Sequence, residues 1–143
     1  MPEHLIRLRG GWEWHDLGDA PPTPGRVSLP LVWPDRAAPR VRLARSFQRP
    51  PLDPARETLG LRLEAVAGLV WAKLNDRAPA RPEPDADTLW LPIDDPLPPR
   101  NVLVLEVEPG ATGTGPWGLV TLVIRPRAAR EAEQSLGERG VSL

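Results

Sequence analysis

The sequence predicts an all-β fold, an antiparallel β-sandwich, on three observations. Twenty prolines and twelve glycines punctuate the 143 residues. They fall in short breaks all along the chain, "APPTPG", "RPPLDP", "RPEPDAD", "DPLPPRN" and "EPGATGTG", and long helices cannot run through such spacing. Between the breaks lie brief runs of Val, Leu and Ile, several of which alternate apolar with polar residues at the period of a strand.

The elements follow in order. Leu5 to Arg9 and Val27 to Leu29 are short strand candidates. Arg40 to Gln48 sets Val41, Leu43 and Phe47 on one face and Arg42, Ala44 and Ser46 on the other. Thr58 to Ala65 alternates more cleanly. Leu59, Leu61, Leu63 and Ala65 point one way; Thr58, Gly60, Arg62 and Glu64 point the other, as in a half-buried strand. Leu69 to Leu74 closes on Asn75-Asp76, a pair that tolerates positive φ and so suits a tight turn. Thr88 to Ile93 opposes Leu89, Leu91 and Ile93 to Trp90. "NVLVLEV", Asn101 to Val107, is apolar on both sides and reads as a central strand. Leu119 to Ile124 is another. These are about eight strands, the number a jelly roll uses. Only the tail "AAREAEQSLG" has helical character, with Gly137 placed to cap it. The expected organisation is one sandwich domain over residues 1–126 and a tail over 127–143, partly helical or disordered.

Composition bounds function. A formal net charge of −1 gives no case for nucleic acid or an anionic membrane as partner. The absence of cysteine removes disulfides, a thiol nucleophile and thiolate-ligated metal. The start, "MPEHLIRLRG", lacks the pattern of a signal peptide, and the apolar runs are far shorter than the ~18 residues of a membrane span. The expected location is cytoplasmic. His4 and His15 have no partner at metal-ligand spacing. Ser28 and Ser46 lack the G-x-S-x-G context of an activated serine. No carboxylate pair marks a glycosidase centre, and "GATGTG" has neither the lysine nor the following helix of a phosphate loop. Asp94 and Asp95 have the chemistry to share a calcium ion with Asp85 or Asp87. Beside Pro84 and Pro96, however, they read more simply as acceptors of turn hydrogen bonds. The expectation is a protein that is not an enzyme and carries no cofactor and no metal.

Tryptophan is the remaining signal: six, beside one Phe and no Tyr. Indole faces take the C–H faces of sugars, with polar groups at the edge, and indoles equally fill β-sandwich cores. Trp12 and Trp14 read as packing, and Trp33 as a cap on one end of the sandwich. Trp117, in a Gly-Pro-Trp-Gly turn, is expected to be exposed. By parity Trp71 and Lys73 oppose Ala72 and Leu74, and Trp90 opposes the aliphatic face of its strand, so both indoles are expected to point outward.

Six segments in order, "LRGGWEW", "VSLPLVWPD", "VRLARSF", "LGLRLEAVAGLVWAKLND", "TLWLPIDDPLPPRNVLVLEVE" and "GPWGLVTLVI", resemble the N-terminal sugar-binding domain of glycoside hydrolase family 2. That is the galactose-binding-like jelly roll preceding the catalytic barrel of β-galactosidases and β-glucuronidases. Gly10, Trp12 and Trp14 match its opening. Leu29, Pro30 and Trp33 match the next step, and Arg42, Arg45 and Phe47 match an arginine-bearing strand. Leu63, Val66, Gly68, Leu74 and Asn75 fall on its paired strands and turn, and Asn101 to Val107 on the strand that follows. The likeness covers about Leu5 to Arg125. Asp76 stands where the family's turn has glycine, and Leu43-Ala44-Arg45 where it has Tyr-Arg-Arg. Both catalytic glutamates of the family lie on the barrel, so none carries over, and the chain reads as a stand-alone copy of the module. The resemblance implies a non-catalytic carbohydrate-binding module, with Trp71, Trp90, Lys73, Trp117 and Trp33 as candidate ligand contacts. The rival is a structural or protein-interaction sandwich without sugar binding, one of whose outward indoles packs on a partner chain or a weak homodimer.

Overall fold

The computed structural model describes residues 3–17, 25–34 and 38–127, and these form two antiparallel sheets packed as a sandwich. Nine strands occur among them. They are β1 (His4–Arg7), β2 (Trp12–Leu17), β3 (Arg26–Val27), β4 (Arg40–Gln48), β5 (Glu57–Glu64), β6 (Leu69–Leu74), β7 (Leu89–Ile93), β8 (Arg100–Val107) and β9 (Leu119–Pro126). One sheet has the order β1-β9-β5-β7 and the other β3-β2-β4-β8-β6. Apart from the run β2, β3, β4, every connection passes from one sheet to the other. The fold is therefore the jelly-roll sandwich expected from the sequence. The tail, with its expected helix and Gly137 cap, lies outside the described residues.

Alternation builds the core. Leu59, Leu61 and Leu63 of β5 and Val120, Leu122 and Ile124 of β9 face inward from one sheet. Val41, Leu43 and Phe47 of β4 meet them from the other, with Leu103, Leu105 and Val107 of β8. Leu61, Leu63, Leu103 and Leu105 are fully buried. "NVLVLEV" is paired on both sides, by β4 and β6, as its two-sided apolarity predicts.

Two expectations are corrected. "WEWHDL" is a strand that the short candidates did not include: Trp12 is buried, while Glu13 and His15 face solvent. Its alternation is carried by indoles instead of aliphatic residues. Ala65 does not continue the inward face of β5. It is exposed at φ 53°, the strand ends at Glu64, and Val66 supplies the next core contact.

Candidate binding site

Strict alternation from the buried Leu69 would point Trp71 into the core. The register of β6 shifts instead: Leu69 pairs with Val107, but Trp71 pairs with the very next β8 residue, Glu106. Val70 is thus the extra residue of a β-bulge, which re-aims the side chains that follow it. Ala72 and Leu74 enter the core at 1% and 4% exposure, and Trp71 and Lys73 turn out, half-buried, onto the outer face of the five-stranded sheet.

Cross-strand register then places His15, Arg42, Glu106 and Trp71 in one row over four strands. Glu106 is largely buried. Its carboxylate accepts from Arg40 Nη1 at 2.8 Å and from Arg42 Nε at 3.1 Å, and Arg40 also pairs with Glu108 at 2.8 Å. A desolvated carboxylate is tolerable only when paired this fully. The pairing holds the Arg42 guanidinium 5.3 Å from the Trp71 ring centroid. The adjacent row is Glu13, Ala44, Val104 and Lys73. An indole, a fixed guanidinium and an ammonium thus border small aliphatic side chains on an open sheet face. Glu106 was not singled out from the sequence, and Arg42 was placed on the outward face of its strand and matched to the family's arginine-bearing strand without a part at Trp71.

Trp90 is turned outward on the opposite face of the sandwich and is 39% exposed. Its six-membered ring fills the space beside Gly60, where an added Cβ would lie 2.2 Å from Cη2. A glycine inside a strand is the sequence mark of such an approach. Arg125 stands 4.5 Å from the Trp90 centroid and is ion-paired to Glu3, which also meets Arg62 at 3.3 Å. The Glu3 carboxyl is held below its ordinary range, chiefly by the hydrogen bond from Arg125, against a smaller opposing effect of desolvation.

Trp117 corrects the expectation of exposure. It is 1% exposed, and its Nε1–H donates to the Ala67 carbonyl at 2.7 Å. Gly118, at φ 88°, turns the chain so that the indole folds inward and Trp117 bridges to Leu31. Trp33 packs between Trp14 and Trp117, with centroids 5.1 Å and 5.3 Å away, and its Nε1 is enclosed. The cap expected of Trp33 is therefore an indole cluster at one end of the sandwich. Trp12 is wholly buried and donates to the Leu8 carbonyl at 2.8 Å. The structure thus brings Trp71 and Lys73 together, sets Trp90 apart on the other sheet, and encloses Trp117 and most of Trp33.

Among the described residues no three acidic or histidine side chains converge to hold a metal ion. Asp94 and Asp95 instead border a cavity of about 730 Å³ at the proline-rich end of the sandwich, over Leu59, Ile93 and Leu97. The expected turn hydrogen bonds to Asp94 and Asp95 do not form among the described residues. Asn75 and Asp76 do form a turn, closed by Arg77 N–H to the Leu74 carbonyl at 3.1 Å, with Asn75 at φ 54°. The Asn75 side chain donates to Asn101 Oδ1 and accepts from the Val102 N–H, both at 2.9 Å, which ties the turn to β8. No helix of the described residues is long and apolar enough to cross a membrane.

No protein-family model matches the chain, and no curated protein does. Among solved structures it is similar to the FMN-binding beta-glucuronidase from Facaelibacterium prausnitzii L2-6, at 19% identity and a TM-score of 0.65. The match covers 87% of this chain but only 23% of that one, so the chain corresponds in extent to one part of a much longer protein. At that identity the likeness establishes the fold, a β-sandwich shared with part of a glycoside hydrolase.

Proposed function

We propose that the protein is a non-catalytic carbohydrate-binding module, related to the N-terminal sugar-binding domain of glycoside hydrolase family 2. The observation that carries the reading is the Val70 bulge, which sends Trp71 out beside Lys73 and the Arg42–Glu106 pair. An aromatic platform bordered by fixed hydrogen-bonding groups suits saccharide recognition. The part-length match to a β-glucuronidase supports the sugar connection, as does the order of the six segments in the sequence. The test is Trp71→Ala. It should abolish saccharide-induced fluorescence changes on a glycan panel while Tm stays within a few degrees, because an outward indole contributes little to the core. Pure protein should also fail to cleave aryl glycosides. Turnover that survives repurification would overturn the non-catalytic part alone.

A second reading rests on Trp90. With Leu5, 43% exposed, it leaves apolar surface on the outer face of the four-stranded sheet. That face suits contact with a protein partner. On this reading Trp90→Ala, and not Trp71→Ala, moves an assembly toward monomer on size exclusion.

A further inference from the structure

Two concavities of about 550 and 430 Å³ lie side by side on the outer face of the five-stranded sheet, beyond Lys73 in the direction of the Asn75 turn. Ser46 and Val102 line both, so the two adjoin as halves of one trough. One half reaches Asn75 at the end of β6; the other reaches Gly11 and Arg26, at β2 and β3. The trough therefore crosses the sheet transversely. Four strand spacings of ~4.8 Å make it roughly 19 Å long, more than one sugar ring needs.

Each half carries an arginine. Arg100 lines the first half and Arg26 the second, both exposed. Neither side chain has an ion-pair or hydrogen-bond partner among the described residues. Glu13, the cross-strand neighbour of Arg26, lines the same half and lies 3.6 Å from His15. Elsewhere in the trough Ala44 and the 36% exposed Val102 are small or aliphatic, Ser46 and Gln48 offer neutral hydrogen-bonding groups, and Arg45, bound to the Gly10 and Ser46 carbonyls, adds a third guanidinium. The wall at Gly11 stays open because its φ of 75° favours glycine. The Asn75 amide is committed to Asn101 and Val102, which makes that end rigid. Neither half is lined by an exposed aromatic; the Trp71 indole stands outside the trough, beside Lys73 on β6.

We propose that this trough takes a linear acidic oligosaccharide, its chain crossing the strands and its carboxylates meeting Arg26 and Arg100. The inference rests on the saccharide-binding reading and adds to it the charge, the length and the direction of the ligand. Guanidinium groups suit carboxylates through paired, charge-assisted hydrogen bonds.

Calorimetric titration of the purified chain tests it with four probes: the hexasaccharide of polygalacturonic acid, cellohexaose, monomeric galacturonate and polyphosphate. The acidic hexasaccharide should bind at least about tenfold more tightly than cellohexaose or the monomer, the scale of one charge-assisted contact. The double variant R26Q/R100Q should lose that preference while keeping its melting temperature, and should leave any response to cellohexaose unchanged. Equal binding of the neutral and acidic hexasaccharides overturns the inference and leaves the module reading standing. So does a preference that survives R26Q/R100Q but not Trp71→Ala. Polyphosphate binding as tightly, with the same arginine dependence, also overturns it, since the surface is then a general anion patch. If no saccharide binds at all, the module reading fails and the trough falls with it.

Discussion

Trp71 and Trp90 stand on opposite faces of one sandwich, each beside an arginine that a glutamate holds, yet they are fixed by different means. Trp90 has a seat: Gly60 vacates the space its ring occupies, and the Glu3–Arg125 pair stands over it. Trp71 has no such seat. A one-residue bulge turns it out of the core, and its neighbours Arg42 and Glu106 are fixed mainly by each other and by Arg40. The contrast separates an indole seated on a glycine of its own sheet from one turned out by a bulge and flanked by Arg42. Outward orientation alone is therefore not evidence of a ligand site; what occupies the ring's faces decides.

The largest effect should abolish the comparison by removing its foundation. Leu63 is fully buried beneath both faces, so Leu63→Ala should cost ~2–5 kcal/mol from lost transfer energy and the cavity left behind. Chemical denaturation monitored by circular dichroism measures it, and a loss below ~1 kcal/mol would mean that β5 does not carry the core.

Gly60→Ala breaks one side only. The new methyl collides with the Trp90 ring and should cost ~1–3 kcal/mol of overpacking, unless the ring leaves its seat. Combined with Trp90→Ala, much of that cost should vanish. A double-mutant cycle showing strict additivity would disprove the seat.

The turn supporting the Trp71 strand comes next. Asn75→Ala strips partners from Asn101 and the Val102 N–H and should cost ~1–3 kcal/mol. Asp76→Gly should change stability by less than ~0.5 kcal/mol, because the positive φ lies at Asn75 and not at Asp76. Reversed magnitudes in the same denaturation assay would show the turn to be built otherwise.

The smallest effect depends on pH. A carboxyl held below its ordinary value contributes stability that is fully present above the unfolded value near 4.5. That contribution is lost as pH falls through the lower folded value. Acidification into that window should free Arg125 from Glu3 and change Trp90 emission, and Glu3→Gln should remove the step. An acid step that persists in Glu3→Gln, or vanishes in Trp71→Phe but not Trp90→Phe, assigns it elsewhere.

The sequence by itself determined most of the strands and most of their faces. Period-two alternation is a local property, and it identified Val41, Leu43, Leu59, Leu61 and Leu63 as core and Trp90 as outward. It also ordered the six segments that resemble a sugar-binding jelly roll. It placed Trp71 opposite Ala72 and Leu74 but gave no sign of the bulge that lets Leu69 be buried as well. Only the tertiary structure decided that Trp117 lies inside, that Gly60 seats Trp90, and that Arg42, Glu106 and Trp71 share a row. Each of these joins residues far apart in the chain. Whether an indole in a turn folds in or out depends on the space its distant neighbours leave and on a carbonyl there to accept its N–H.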